Sequence, residues 1–302
     1  MYMDNRRTGT ETGLLTKNQK VKTMKNQEIF EKVTAQIIEN LEHATKWQKP
    51  WGNISNGDAP HNGITGHAYS GINWMVLVSA PFASNQWLTY KQAVACGGNV
   101  KKGEKGTQIV YFQMLKKEDK QGNVSAFPLL KVYTVFNSEQ CENISGMKNY
   151  IVPVIPEGGV NALAASVGAK VKYQGSAACF IPSIDEIRMP AAEAFKSKAH
   201  HDATLLHELT HWTGHKSRLD RLSNDRFGSS GYAFEELVAE LGAAMAGSLL
   251  GLPYEGLQHA DYIANWLEVL KSDVKHVYNA AKLASKAINY LIDNSQEQEM
   301  AA

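Results

Sequence analysis

The sequence predicts an α+β fold in two domains: an N-terminal α+β domain, then a mostly helical domain with a small sheet. Two runs in the first half, QIVYFQMLKKED and LLKVYTVFN, flank the turn residues KQGN and predict a β-hairpin. The second half contains three long stretches with helical periodicity. A length of 302 residues is enough for two ordinary domains.

Proline and glycine residues suggest where the domains meet. The segment SGMKNYIVPVIPEGG, residues 145–159, contains two prolines and three glycines and is interpreted as a linker. We therefore expect a leader at 1–25, a first domain at 26–144 and a second domain at 160–302. The leader has arginines without an apolar core or a cleavage site behind them, which predicts disorder rather than a secretory signal.

The first domain is expected to begin with a helix that Asn26 caps. Apolar residues at four-residue spacing support this helix: Ile29, Val33, Ile37 and Leu41. A long irregular segment follows, in which glycine and asparagine recur every few residues. The run WLTYKQAVACGG, residues 87–98, is then predicted as a helix that ends near Gly97, ahead of the hairpin.

The second domain opens with VNALAASVGAKVKY, after which DEIRMP, residues 185–190, is predicted as a strand. We expect this strand at the edge of its sheet, where an extended peptide can pair with it. Three helices are predicted next: TLLHELTHWTG, YAFEELVAELGAAMAGSLLG and DYIANWLEVLKSDVKHVYNAAKLASKAINYL. No window approaches the roughly 18 consecutive apolar residues of a membrane-spanning helix, so no membrane partner is expected.

The stretch HELTHWTGH, which begins at His207, predicts a metal site. Residues four apart share one face of a helix, so His207 and His211 can present both imidazoles to one ion. Glu208, one position further round, can reach a water molecule in the open coordination position. This pattern favours a zinc-dependent metallopeptidase, with Zn²⁺ as the expected cofactor and Mn²⁺ or another divalent metal as the alternative.

A third protein ligand is needed, and the spacing excludes one common source. The pattern HExxHxxGxxH requires a histidine ten residues after the first, but that position is Ser217, and His215 comes too soon. A carboxylate from the next predicted helix is the other solution. Glu236 and Glu240 share a face there, which favours Glu236 as the ligand and Glu240 as the acceptor behind a histidine ring, with Glu235 the rival ligand.

If the site is catalytic, the metal lowers the pKa of its bound water and polarises the scissile carbonyl. Glu208 then accepts the proton and returns it to the leaving amine. Tyr232 or Tyr254 is the candidate donor to the developing oxyanion.

The number and spacing of the cysteines indicate the cellular compartment of the protein. Three of them, Cys96, Cys141 and Cys179, lie far apart in an odd number. This pattern predicts neither a disulfide framework nor a cysteine-type zinc knuckle, and it fits the reducing cytoplasm.

Charge and aromatic residues suggest a polyanion partner for the first half. Residues 1–150 carry 18 Lys and Arg against 12 Asp and Glu, whereas the remainder carries 13 against 18. Tryptophans interleaved with lysines are what sequence-tolerant binding of single-stranded DNA requires. The candidate DNA-binding residues are Trp47, Lys49, Trp51, Trp74, Lys91, Lys101, Lys102 and Lys105. Tryptophan also commonly packs protein interiors, which is the alternative role for each of these tryptophans.

Several runs of this sequence resemble the ArdC antirestriction family, whose N-terminal domain is shared with plasmid TraC-type primases. They are WQKPWG, GITGHAYSGIN, QWLTYKQA, GGNVKKGEKGTQIVYF, KVYTVFNSEQC, DEIRMP, TLLHELTHWTGH and YAFEELVAELGAA. The resemblance extends from about residue 26 to residue 292.

The resemblance implies an N-terminal domain that binds single-stranded DNA and a C-terminal zincin-like metallopeptidase domain. It assigns the metal motif to His207, Glu208 and His211, with a glutamate of EELVAE as third ligand. It also implies a plasmid-encoded protein that protects conjugatively transferred DNA from restriction and that can be transferred to the recipient cell.

Two hypotheses about function remain open. The first is a DNA-coating protein in which the metal is structural. The second is a DNA-activated protease that cuts a host protein, such as a restriction or repair factor. Primase accessory activity is a third reading, which the absence of polymerase carboxylate motifs disfavours.

Overall fold

The structure is a computed structural model. It describes residues 28–29, 31–35, 38–39, 59–118, 124–150, 152–153, 155–222, 230–252 and 274–301. The described residues between 28 and 39 are helical, in agreement with the first predicted helix. The predicted leader, the start of that helix and the candidate DNA residues Trp47, Lys49 and Trp51 lie outside the described residues.

The first half is built on a four-stranded sheet in the order β1-β2-β5-β4. Its strands are β1 (His61–Asn62), β2 (Gln86–Thr89), β4 (Thr107–Glu118) and β5 (Val124–Asn137), and a separate pair joins β3 (Asn99–Val100) to β6 (Cys141–Glu142). Strands β4 and β5 pair antiparallel from Thr107 opposite Val135 to Glu118 opposite Val124. The predicted hairpin is therefore confirmed, and its turn residues KQGN lie outside the described residues.

The predicted helix at 87–98 is wrong in its first turn. Trp87 and Leu88 belong to β2, which pairs with β5 and places Trp87 opposite Asn137. Both side chains are buried. The helix α2 (Tyr90–Ala95) begins only after Thr89, whose side chain caps it by accepting from the backbone of Gln92. The reciprocal bond from Gln92 completes a capping box, which fixes the start of the helix.

A three-stranded sheet opens the second half, after helix α3 (Val160–Ser166). Its order is β7-β9-β8, with β7 (Lys170–Tyr173), β8 (Cys179–Ile181) and β9 (Glu186–Met189). The predicted strand DEIRMP is β9, but its expected place at the edge is wrong. It is the central strand, parallel to β7 and antiparallel to β8, and Ile187 and Met189 are fully buried. The two edge strands are β7 and β8.

Long helices complete the second half. They are α4 (Lys198–Thr213), α5 (Ser230–Leu249) and α6 (Val274–Ala301). Ser197 caps the start of α4, because its hydroxyl accepts from the backbone N–H of His200, and Gly214 caps the end of the helix. The part of the third predicted helix before Val274 lies outside the described residues. None of the helices in the described ranges combines the length and apolar character needed to cross a bilayer.

The two halves share one hydrophobic core. A continuous cluster of buried side chains includes Trp74 of α1 (Ile72–Val78), Val135 of β5, Leu209 of α4 and Leu291 of α6. Polar contacts also cross between the halves, since the Trp74 indole Nε1 donates to the Ser248 hydroxyl at 3.2 Å. The domain limits at 144 and 160 stay a prediction; the described residues of the intervening segment include no helix or strand.

Candidate metal centre

Helix α4 brings the two histidines of the HExxH motif together. Leu205, Leu206 and Leu209 are fully buried and fix the rotation of the helix against the core. The opposite face carries His207 and His211, whose Nε2 atoms are 3.1 Å apart. Two imidazole nitrogens therefore point to the same space.

Glu236 of α5 completes a group of three ligand atoms. One of its carboxylate oxygens lies 3.4 Å from His207 Nε2 and the other 3.6 Å from His211 Nε2. Candidate ligand atoms of the three residues all lie within 4.8 Å of one another. A tetrahedral zinc site with bonds of 2.0–2.1 Å requires ligand atoms about 3.4 Å apart, so the residues present fit such an ion. The expected third ligand, Glu236 rather than Glu235, is the one that the structure brings to the histidines.

Glu208 lies beside these ligand atoms but does not belong to the group. Its side chain is 7% exposed and accepts a hydrogen bond from the backbone of Phe180. Burial raises the pKa of Glu208, and the neighbouring charges of His207 and His211 offset part of that rise. A carboxylate with a raised pKa is better matched to accepting and returning a proton near neutral pH.

Glu235, the rival ligand, contacts His211 from the side opposite to Glu236. His211 Nδ1 lies 3.1 Å from Oε1 of Glu235, so this carboxylate lies behind the ring, whereas the supporting role of Glu240 stays a prediction. Glu235 is in turn held by two hydrogen bonds of 2.8 Å from Arg221. The sequence did not reveal this arrangement, because the rotation of α5 against α4 decides which glutamate faces which side of the ring.

These carboxylates shift the titration of the metal-free ligands. Burial by itself lowers the pKa of His211, but hydrogen bonds with Glu235 and Glu236 outweigh it and raise that pKa to about 9. Hydrogen bonds with His207 and His211 hold the pKa of Glu236 well below its usual range. The site thus favours a negative carboxylate beside imidazoles.

A cleft of about 440 Å³ opens in front of the three ligand residues. The edge strand β8 contributes Cys179 and Phe180 to one wall, and α5 contributes Tyr232. Burial and the Glu236 carboxylate raise the pKa of Tyr232 to about 12, so its hydroxyl keeps its proton at neutral pH. The second candidate oxyanion donor, Tyr254, lies outside the described residues.

Among the candidate DNA-binding residues that the structure describes, the tryptophan is buried and the lysines are exposed. Trp74 is 1% exposed within the core, which corrects its expected role, because a buried indole offers no face to a base. Lys91 on α2 and the three lysines Lys101, Lys102 and Lys105 of one loop are exposed. Lys101 Nζ donates to the backbone carbonyl of Glu139 at 2.8 Å, which ties this loop to the turn that follows β5.

Family models match both halves of the chain. Residues 27–136 match the N-terminal domain of anti-restriction factor ArdC, and residues 159–283 match a zincin-like metallopeptidase domain. Two proteins of Escherichia coli described as DNA primase TraC are 35% identical over 289 residues and 37% identical over 298 residues. The alignments cover 89% and 91% of this chain but only 27% and 20% of the primases.

Relatives of similar length define the family. An uncharacterized protein of Sinorhizobium fredii, y4eC, is 34% identical, and the alignment covers 87% of this chain and 91% of y4eC. The metal-free crystal structure of the antirestriction ArdC protein from plasmid R388 is 39% identical, with a TM-score of 0.70, over 89% of this chain and 98% of that chain. The Mn(II)-bound structure of that protein is 37% identical, with a TM-score of 0.69, over 88% of this chain and 97% of that chain. This chain therefore belongs to the ArdC family of antirestriction proteins, and its second half is a zincin-like metallopeptidase domain.

Proposed function

We propose that the protein binds single-stranded DNA and protects incoming conjugative DNA from restriction, with one divalent metal bound by His207, His211 and Glu236. The close approach of these three side chains, in a chain of the ArdC family, is the observation that carries the metal assignment. The ArdC relative from plasmid R388 has a Mn(II)-bound structure, which supports a divalent metal. Relatives described as DNA primases support a DNA partner.

Zinc is the proposed resident metal, with manganese as the alternative. Two imidazole nitrogens and one carboxylate oxygen are the donor set of catalytic zinc sites, which keep the fourth position open. A carboxylate and imidazoles also suit manganese, because ligand type alone does not separate these two metals.

The same geometry supports a second candidate function, a DNA-activated metalloprotease that cleaves a host DNA-binding or restriction protein. A metal held by His207, His211 and Glu236 would lower the pKa of a bound water and polarise a carbonyl. Glu208, which lines the same cleft, would accept the proton from such a water and return it to the leaving amine nitrogen. The Tyr232 hydroxyl, still protonated at neutral pH, can donate to the developing negative charge on oxygen.

The edge strand β8 supports a peptide as substrate of this second function. It pairs with β9 on one side only, and its residues line the cleft in front of the metal ligands. An extended peptide can add to such an edge by main-chain hydrogen bonds, which hold the scissile bond at a fixed place.

A cleavage assay separates the two functions. Purified protein is incubated with zinc or manganese, with and without single-stranded DNA, and self-cleavage and loss of added DNA-binding proteins are scored. The control is Glu208→Gln, which keeps the size of the side chain and removes the base. Cleavage that requires both DNA and Glu208 establishes the protease. Unchanged DNA binding without cleavage, in a protein that still holds metal, establishes the coating function with a structural metal.

The exposed lysines Lys91, Lys101, Lys102 and Lys105 are proposed as part of the DNA surface. Lys91 is adjacent in sequence to the exposed Tyr90, whose ring centroid lies 6.5 Å from that of Phe136. Lysines beside exposed aromatic rings are suited to the phosphates and bases of a single strand.

A further inference from the structure

A groove of about 360 Å³ lies where the two halves of the protein meet and shares no lining residue with the cleft at the candidate metal site. One wall is the start of α1 and the strand β4, with Asn73 and Tyr111. The other wall is one face of α6, with Tyr278, Lys282, Lys286 and Asn289. The groove thus has one side in the segment that matches the ArdC N-terminal domain and the other side on the C-terminal helix.

The walls of this groove are fixed to each other. The Asn73 side chain donates to the carbonyl of Val110 at 2.7 Å and accepts from its backbone N–H at 2.9 Å, which joins α1 to β4. The backbone N–H of Gly71 donates to the Ser285 hydroxyl of α6 at 2.7 Å. A ligand would therefore meet a preformed surface.

Two lysines line the groove. Lys282 and Lys286 are both exposed and lie one turn apart on α6, about 6 Å along the helix axis. The described residues that line the groove include these two lysines and no carboxylate. The second half of the sequence has a net negative charge, with 13 Lys and Arg and 18 Asp and Glu. The groove is therefore a local cationic surface suited to phosphate groups.

Aromatic rings border the same surface. Tyr111 lines the groove and is 48% exposed, and Tyr133 of β5 beside it is 43% exposed. The two rings meet edge to face with centroids 6.1 Å apart. Exposed, mutually supported rings next to lysines can stack on unpaired bases, which a duplex does not present.

We propose that a single strand of nucleic acid lies in this groove, with phosphates on Lys282 and Lys286 and a base against Tyr111. This inference rests on the proposed DNA-binding function and assigns part of that function to the C-terminal helix. Helix α6 packs against α5, the helix that carries Glu235 and Glu236. The bound strand would therefore contact the neighbour of the helix that holds a candidate metal ligand.

Fluorescence anisotropy with a labelled oligothymidine tests the groove. The double change Lys282→Glu and Lys286→Glu is expected to weaken binding at least about 10-fold and to reduce the slope of log K against log salt by about 1.4, the value for two phosphate contacts. The matched control, Lys196→Glu with Lys216→Glu, makes the same charge change at exposed lysines elsewhere in the second half and is expected to bind like the wild type.

The aromatic contact has its own pair of variants. Tyr111→Ala is expected to weaken binding roughly 5- to 150-fold, the equivalent of one stacked base, whereas Tyr111→Phe keeps the stacking face and binds like the wild type. If the wild type binds the oligothymidine and the groove variants bind it as tightly as the control pair does, the groove is not the binding site. The proposed DNA-binding function is then retained. If the wild type itself does not bind the oligothymidine, the DNA-binding function fails and the groove fails with it.

Discussion

At the scale of single residues, adjacent glutamates on α5 have different tasks. Glu236 faces the Nε2 atoms of both histidines, whereas Glu235 contacts the opposite nitrogen of His211 and is anchored by Arg221. A carboxylate behind a ligand histidine fixes the ring and raises its basicity as a ligand. The orientation of His211 therefore depends on a side chain outside the group of three candidate ligands.

Glu235→Gln tests this orienting role. We expect zinc affinity to fall about 10- to 100-fold with the fold intact, because the neutral amide no longer fixes the ring or pairs with Arg221. Competition with a chromophoric zinc chelator measures the affinity, and the exposed Glu193→Gln is the matched control. Equal zinc affinity in Glu235→Gln and the wild type would show that Glu235 serves Arg221 alone.

The pairing of Asp185 with Arg218 makes stability depend on pH. Hydrogen bonds of 3.0 and 2.6 Å from Arg218 hold the pKa of the Asp185 carboxyl below its usual range. A carboxyl whose pKa is lower in the folded than in the unfolded state stabilises the protein above its unfolded pKa. That contribution is lost as the pH falls through the folded pKa.

Asp185→Asn is therefore expected to lower the free energy of unfolding by about 1 kcal/mol at pH 7, a modest effect because the carboxyl is partly exposed and screened. The difference from the wild type should shrink as the pH falls below about 4. Urea unfolding at pH 7 and pH 3 measures it, with the exposed Asp293→Asn as control. A difference that is the same at both pH values contradicts this account.

At the scale of elements, the close approach of α4 and α5 sets the distance between the histidines and the glutamates. A methyl group at Gly242 of α5 would lie 2.6 Å from the Thr210 side chain of α4. Gly242 lies on the same face of α5 as Glu235, two turns further along. The absence of a side chain at Gly242 thus lets the two helices that carry the candidate metal ligands approach each other.

Gly242→Ala is expected to destabilise the protein by about 1–3 kcal/mol through overpacking and to weaken zinc binding. The second change Thr210→Ala removes the atoms that clash and should recover part of both losses. Thermal unfolding and chelator competition on the single and double variants measure this. Losses that simply add in the double variant would argue that the two side chains do not meet.

The loop that carries Lys101 and Lys102 is the element proposed to meet DNA in the first half. Reversal of both charges is expected to weaken binding at every DNA sequence and to flatten the salt dependence, because phosphate contacts carry no sequence information. Anisotropy titrations at several salt concentrations measure both effects. Unchanged affinity would remove the loop from the DNA surface.

At the scale of the whole molecule, local patterns were predictable and relative placement was not. The spacing of His207 and His211 defines one helical face, and the hairpin follows from two alternating runs, so both could be read from the sequence. Strand β8 is only three residues long and was not predicted from the sequence. Without it, DEIRMP was expected at the edge of the sheet. The choice between Glu235 and Glu240 depends on how two helices pack, which no local pattern contains.

The burial of Trp74 could not be predicted either, because it depends on packing between distant parts of the chain. Its position among lysines and other tryptophans suggested a DNA surface, but the core formed by both halves encloses it, and Ser248 from the second half accepts its indole N–H. The contact joins residues 174 positions apart in sequence. Long-range packing of this kind decides whether an aromatic residue faces solvent.

The central claim is that His207, His211 and Glu236 together hold one divalent metal. Native mass spectrometry of metal-depleted protein reloaded with zinc tests it most directly, on the wild type, Glu208→Gln, His211→Ala and Glu236→Gln. We predict one zinc per chain in the wild type and in Glu208→Gln, and a loss of zinc in His211→Ala and Glu236→Gln. A wild type that takes up no zinc or manganese, or equal metal in all four proteins, would contradict the account.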